Sequence, residues 1–282
     1  MKSCYAIVCV AALVLPVARA EAAQISAPPL DSCLWIDTPS SMVANLSVRY
    51  EEDGNHLWRD RSYVRLWQRD MRHDRGDSPS NATVLFALAP APVRELSYLR
   101  WQFPVATRRE PNEWVYLPQL KKVRRVTVRE AEDMVFRDVE DVLATGQPIL
   151  RSVVVLDEQR DEKGYKWQAE VEIEGMQVWR GKWWVTFVRG AQTEPCRVTT
   201  LEQRDAKGKR TRAIDFEWHY DKQEWYRSMV FVTIVPSAQR ASYHFTGVRL
   251  NETLPPDLFE PQALRNFPRT LYDGGWLVRD AQ

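Results

Sequence analysis

Apolar and polar residues alternate with a period of two along most of the chain, which is the pattern of β-strands with one face buried. The clearest stretch is Glu113 to Val128, EWVYLPQLKKVRRVTV. Trp114 and Tyr116 point one way, Val115 and Leu117 the other. Pro118 cannot donate to a ladder, so the strand should stop there. Gln119 to Lys122 make a short connection, and Val123 to Val128 return as the second strand of a hairpin. The same reading predicts extended stretches at Met42–Tyr50, Leu57–Arg69, Thr83–Leu88, Leu96–Phe103, Val153–Leu156 and Trp167–Ile173. It continues at Val178–Val188, Arg197–Gln203, Thr211–Tyr220, Trp225–Val235 and Tyr243–Leu250. Glu51–Asn55, Glu158–Gly164 and Asp205–Lys209 are turn signals between them.

One stretch breaks the alternation. Ala131, Met134, Val135, Val139, Val142 and Leu143 recur at helical steps and predict a helix over Glu130–Leu143, closed by Gly146 and Pro148. About ten strands with one helix argue for a single antiparallel sheet or barrel. Two strands, Trp183–Val188 and Val230–Val235, are apolar on both faces. A sandwich core would need that, and so would a sheet curled round a lumen with a helix covering one side. The chain carries twelve Trp, and large aromatics at strand spacing either fill a β-core or line a cavity.

Composition adds three constraints. Met1–Ala20 reads as a secretory signal peptide: Lys2 first, then the apolar run Tyr5–Val17, then Ala18-Arg19-Ala20 as the cleavage site. Without it, 37 basic side chains face 38 acidic ones (39 less Lys2 and Arg19), so nucleic acid is not an expected partner. Cys4 and Cys9 would leave with the signal. Cys33 and Cys196 remain as a candidate disulfide, with pairing left open by the sequence.

Catalytic chemistry is not legible. His56, His73, His219 and His244 are scattered, and no zinc spacing, nucleophile elbow or dinucleotide loop occurs. Only 11 Gly are present, which disfavours a phosphate loop. Glu172 with Glu174, and Asp138 with Glu140 and Asp141, read as solvated faces. The sequence therefore predicts no enzyme, no metal and no cofactor. An exported esterase is the remaining enzymatic alternative, because triads are spatial rather than sequential. Lys121, Lys122, Arg124 and Arg125 follow directly on the aromatic strand. They are either a charge-blunted edge or a basic rim that meets an acidic head group or a membrane surface.

Three stretches resemble the outer-membrane lipoprotein-sorting protein family, in its LolA-like branch: EWVYLPQLKKVRRV at Glu113–Val126, FRDVEDV at Phe136–Val142, and VRLNETLPPDLFEPQAL at Val248–Leu264. The likeness spans roughly residues 40–265. It implies an open, incomplete antiparallel β-barrel, LolA/LolB-like, with a helical plug. The expected organisation is a signal peptide at 1–20, an irregular segment at 21–40, the barrel domain at 41–265 and a tail at 266–282. The resemblance further implies a periplasmic protein that binds lipid or lipoprotein acyl chains. An inner-membrane transporter or outer-membrane acceptor would be its partner, with transient membrane-surface contact. Trp114, Tyr116, Trp183 and Phe231 are the candidates for the cavity wall. A lipid-sensing regulatory module is the alternative role.

Overall fold

The computed structural model describes residues 33–51, 60–71, 78–126, 137–143, 148–162, 164–174, 179–190 and 194–266. The expected signal peptide lies outside them, as do most of the predicted tail and residues 130–136 of the predicted helix.

Thirteen strands form one antiparallel sheet, more than the ten or so expected. The first arm holds β1 (Ser41–Glu51), β2 (Asp60–Arg69), β3 (Asn81–Ala89), β4 (Ser97–Gln102), β5 (Asn112–Leu117) and β6 (Lys122–Val126). The second holds β7 (Ile149–Asp161), β8 (Gly164–Glu174), β9 (Gly181–Gly190), β10 (Arg197–Arg204), β11 (Arg210–Asp221), β12 (Glu224–Ile234) and β13 (Gln239–Leu250). Each arm is a meander of neighbouring strands. The arms join where β1 pairs with β13, so among the described residues β6 and β7 are the two free edges. Between them in sequence lies the single α-helix among the described residues, α1 (Arg137–Leu143).

Local chemistry explains the turns. Pro118 ends β5 as expected: Pro118–Leu120 is a 3-10 turn, and Lys121 takes a left-handed conformation to start the return strand. Val235–Ser237 followed by left-handed Ala238 repeats the device between β12 and β13. Lys222 and Gln223 both have positive φ, at 48° and 67°, which matches the tight hairpin that joins two right-twisted strands. In the predicted loop at Asp205, its carboxylate accepts from the Lys207 and Lys209 amides at 2.9 Å.

The sheet curls. Inward residues of β1–β5 and of β7–β13 meet in one buried cluster, with Val139, Val142 and Leu143 of α1 inside it. The opposite face differs between the arms. Behind the first arm, Val43, Val64, Leu66, Val84, Phe86 and Leu99 are covered by Leu254, Leu258, Phe259 and Leu264 of the C-terminal segment. Behind the second arm, positions such as Glu170, Glu172, Lys182 and Glu202 face water. The architecture is the open antiparallel barrel with a helical plug.

The described residues before β1 join the inner cluster through Cys33 and Trp35. Cys33 and Cys196 form a disulfide across 163 residues, a closure worth about 4–5 kcal/mol in the chain-entropy model. Leu34 bridges β10 through its backbone, and Trp35 packs 5.6 Å from Phe187, ring to ring. Asp37 is fully buried against Arg227, accepting from its backbone amide and from its guanidinium at 2.8–3.1 Å.

Candidate functional site: the seam between the sheet edges

In an antiparallel ladder directly opposed residues share a face. Val115 is buried in the inner cluster and opposes Arg124; Leu117 opposes Lys122. Lys122 and Arg124 therefore project to the lumen side of the β6 edge, both exposed. On the facing edge, Val153 opposes Val171, Val155 opposes Ala169 and Leu150 opposes Ile173, all three partners fully buried in the lumen. Leu117, Leu150 and Val155 are half-buried against the inner cluster, and Val153 remains 37% exposed. Deeper along β8, Tyr165 stacks on Trp167 with ring centroids 5.4 Å apart and planes nearly parallel at 3°. The inner wall is thus apolar up to the opening, where solvent reaches it.

α1 packs into the same inner cluster through Val139, Val142 and Leu143, and it is held by charge. Arg65, on the inner face of β2 between Tyr63 and Trp67, donates to Glu140 at 2.9 Å, and both side chains are 1% exposed. Arg100 of β4 donates to Asp141 at 2.8 Å and lies 3.7 Å from Glu113. Tyr98 donates its hydroxyl to Glu113 at 2.8 Å. Burial raises the Tyr98 pKa well above the ordinary tyrosine value, reinforced by Glu113 and Glu140 and opposed by Arg100. Burial opposes the Arg100 charge, but Tyr98, Asp141 and Glu113 outweigh it and hold its pKa above the usual guanidinium value.

This overturns the reading of Glu140 and Asp141 as a solvated face: they point into the lumen because Arg65 and Arg100 wait there. Arg65 carried the signal that sequence reasoning missed. A charge in the middle of an inward row, Tyr63-x-Arg65-x-Trp67, requires a buried partner. The partner lies 75 positions away, so no local pattern names it.

The four predicted wall residues are not brought together. Trp183 is fully buried in the inner cluster, and its indole donates to the Trp179 carbonyl at 2.6 Å. Trp114 and Tyr116 take the other face of β5 and pack against the C-terminal cluster. Trp114 meets Trp101 edge-on at 4.7 Å, and Trp101 anchors the Phe259 carbonyl at 2.8 Å. Phe231 also faces outward, opposite Asp215 and Ser242. It floors a half-open groove of about 570 Å³ with Met229, Ser47, Ser62 and His244. The four predicted cations divide likewise: Lys122 and Arg124 inward, Arg125 on the Trp114 face bonded to Asn112, and Lys121 at the turn. No cluster of metal-ligating side chains occurs among the described residues.

Known structures share this architecture. A DUF1329 family protein from Desulfovibrio piger superposes with a TM-score of 0.58 at 15% identity, over 80% of this chain and 92% of that one. A putative outer membrane lipoprotein-sorting protein domain from Vibrio parahaemolyticus gives 0.54 at 14%, over 84% and 94%. A LolA superfamily protein from Nitrosomonas europaea gives 0.51 at 14%, over 80% and 92%. At such identities the likeness is one of fold. No curated protein matches the chain. A family model described as "uncharacterized protein" matches residues 80–266, which is more than half of the sequence, and the chain accordingly belongs to that family, built on a LolA-like fold.

Proposed function

We propose that this protein is an exported, periplasmic carrier that holds the acyl chains of a lipid or lipoprotein against the inner wall of its open barrel. One observation carries the reading. Apolar inner-face residues, Leu117, Leu150, Val153 and Val155, run out to a seam that β6 and β7 leave unpaired, with Lys122 and Arg124 on its rim. An acyl chain reaching this wall gains about 0.8 kcal/mol per methylene removed from water. The rim cations suit an acidic head group or the membrane that delivers it. An inner-membrane transporter or an outer-membrane acceptor would be the partner at each end of the journey.

Among the described residues, Val139, Val142 and Leu143 of α1 occupy the inner cluster that acyl chains would join, so uptake in this reading shifts the plug. Ten methylenes supply about 8 kcal/mol, whereas separating a buried pair such as Arg65–Glu140 costs about 3–5 kcal/mol. Arg100–Asp141 and the packing of Val139, Val142 and Leu143 add to that cost, so this reading favours long-chain cargo over short. The test is titration with fluorescent fatty acids of increasing length. The wild type should bind the long ones, and Leu117→Glu combined with Leu150→Glu should abolish binding while the protein stays folded. A wild type that binds none of them defeats the carrier reading.

A further inference from the structure

The β7 edge carries exposed apolar residues on its outer face as well as at the seam. Seven large apolar residues are exposed among the described ones, and four of them, Ile149, Val153, Val154 and Leu156, belong to β7. Val154 and Leu156 are each 54% exposed. Val154 opposes Glu170, a residue of the outer face, so it points away from the lumen. β7 is also the longest strand, at 13 residues, and alternate backbone groups along it face away from β8. An edge of this length with apolar side chains is a template for another strand, and proteins ordinarily blunt such edges with charge. β6 is blunted in that way by Lys122, Arg124 and Arg125, whereas the centre of β7 is not.

The charges of β7 say which strand fits. Arg151 and Asp157 stand equally far on either side of Val154. Between the two register shifts of β7, at Leu150/Ser152 and Val155/Asp157, the strand is regular, and an antiparallel copy related by a two-fold axis through Val154 brings Arg151 of each copy near Asp157 of the other. Val153 then meets Val155, and Val154 meets itself. Arg151 already donates to Glu174 at 3.0 Å, and its exposed guanidinium has further donors for a second carboxylate. A parallel copy would place Arg151 opposite Arg151, and like charges directly opposed are unfavourable.

We infer that β7 is an interaction surface for a second copy of this chain, pairing antiparallel about Val154 to give a two-fold dimer with one continuous sheet. The arrangement is isologous, the commonest form of closed assembly. It goes beyond the carrier reading: the contact shares Val153 and Val155 with the seam, but its centre, Val154, lies on the outer face that cargo does not touch.

The experiment is sedimentation equilibrium of the full exported chain, together with a cysteine scan along β7. The wild type should sediment as a dimer of the 32.9 kDa chain, less whatever processing removes. Val154→Lys should be monomeric, with its circular dichroism unchanged, because the site is more than half exposed. Asp157→Arg should weaken the dimer at least tenfold, and Arg151→Asp combined with Asp157→Arg should recover it. Symmetric strand partners lie within disulfide reach. Val154→Cys should therefore oxidise to a covalent dimer, and Ser152→Cys, which would face Leu156 of the second copy, should not. A monomeric wild type overturns the inference. So does a dimer that survives Val154→Lys, or equal cross-linking from both cysteines. Fatty-acid binding should persist in the Val154→Lys monomer, so failure here leaves the carrier reading separately testable.

Discussion

The two arms of the sheet come from the same alternating pattern but are finished differently. Over β2–β5 both faces are covered, the inner one by the lumen and the outer one by the C-terminal segment through Leu254, Leu258, Phe259 and Leu264. In β8–β11 only the inner face is enclosed, and the outer one carries ion pairs such as Lys182–Glu170 and Arg210–Glu202. Their inner faces differ as well. The first arm presents Arg65, Tyr98, Arg100 and Glu113 to α1. The second presents Trp167, Trp183, Val185 and Phe187. The comparison teaches a division of labour: one arm is a wall packed on both faces that grips the plug by charge, and the other presents an apolar inner wall with a solvated outer face.

The largest effect should come from removing one half of the grip. Glu140→Ala leaves the Arg65 guanidinium buried without its carboxylate and should cost about 3–5 kcal/mol. Urea unfolding measures it. A loss below about 1 kcal/mol would mean that packing alone holds α1 against the first arm.

The outer faces give the next contrast. Leu66, fully buried behind the first arm, should cost about 2–5 kcal/mol when replaced by Ala. Trp184 lies behind the second arm, half-buried, with the Arg204 guanidinium 5.1 Å from its ring centre. Trp184→Ala removes more atoms, yet should cost only about 1 kcal/mol, since the ring meets water and one cation. Equal costs at the two sites would erase the distinction between covered and open outer faces.

These contrasts mark how far the sequence could be read. Strand positions followed from alternation, because a pleated strand buries every second side chain whatever it packs against. The stop at Pro118 followed from a missing amide hydrogen. Which face looks inward did not follow, since Trp114 and Val115 are both apolar and the first arm buries both. What decides between them is the covering segment at Leu254–Leu264, more than a hundred residues downstream. The pairing of Cys33 with Cys196 was likewise open until β10 and the N-terminal segment lay side by side. The split of the basic hairpin was in fact legible: strict alternation from Lys122 to Arg125 puts neighbouring cations on opposite faces once β6 is taken as a strand.

Acid should loosen the second arm at its tether. Asp37 reaches β12 through Arg227, with the guanidinium and carboxylate 2.9 Å apart. Burial alone would raise the Asp37 pKa, but the Arg227 charge and its hydrogen bonds more than offset that and hold it below 3.8. A depressed carboxylate contributes its stability above the unfolded-state value and loses it as pH falls through the folded one. Melting temperature should therefore be steady above about pH 5 and drop as Asp37 titrates below about pH 4. Asp37→Asn should be less stable near neutrality and show a shallower fall in acid. An identical acid profile in wild type and variant would assign the loss to other carboxylates.

The smallest expected effect concerns the rim. Lys122 and Arg124 share the lumen side of β6, while Lys121 sits in the turn and Arg125 on the outer face with Asn112. A cation close to an anionic bilayer contributes about 1 kcal/mol. If the seam is what meets the membrane, Lys122→Gln with Arg124→Gln should lower affinity for anionic vesicles by about 2 kcal/mol, roughly thirtyfold. Lys121→Gln with Arg125→Gln should lower it less. Both differences should shrink as salt shortens the reach of the charges, from a Debye length of about 10 Å at 0.1 M to about 3 Å at 1 M. All four side chains are exposed, so folding should not confuse the result. Equal losses from the two pairs would make the hairpin a general basic surface. A larger loss from Lys121 and Arg125 would turn the outer face of the first arm toward the membrane and leave the seam facing water, with cargo reaching it by another route.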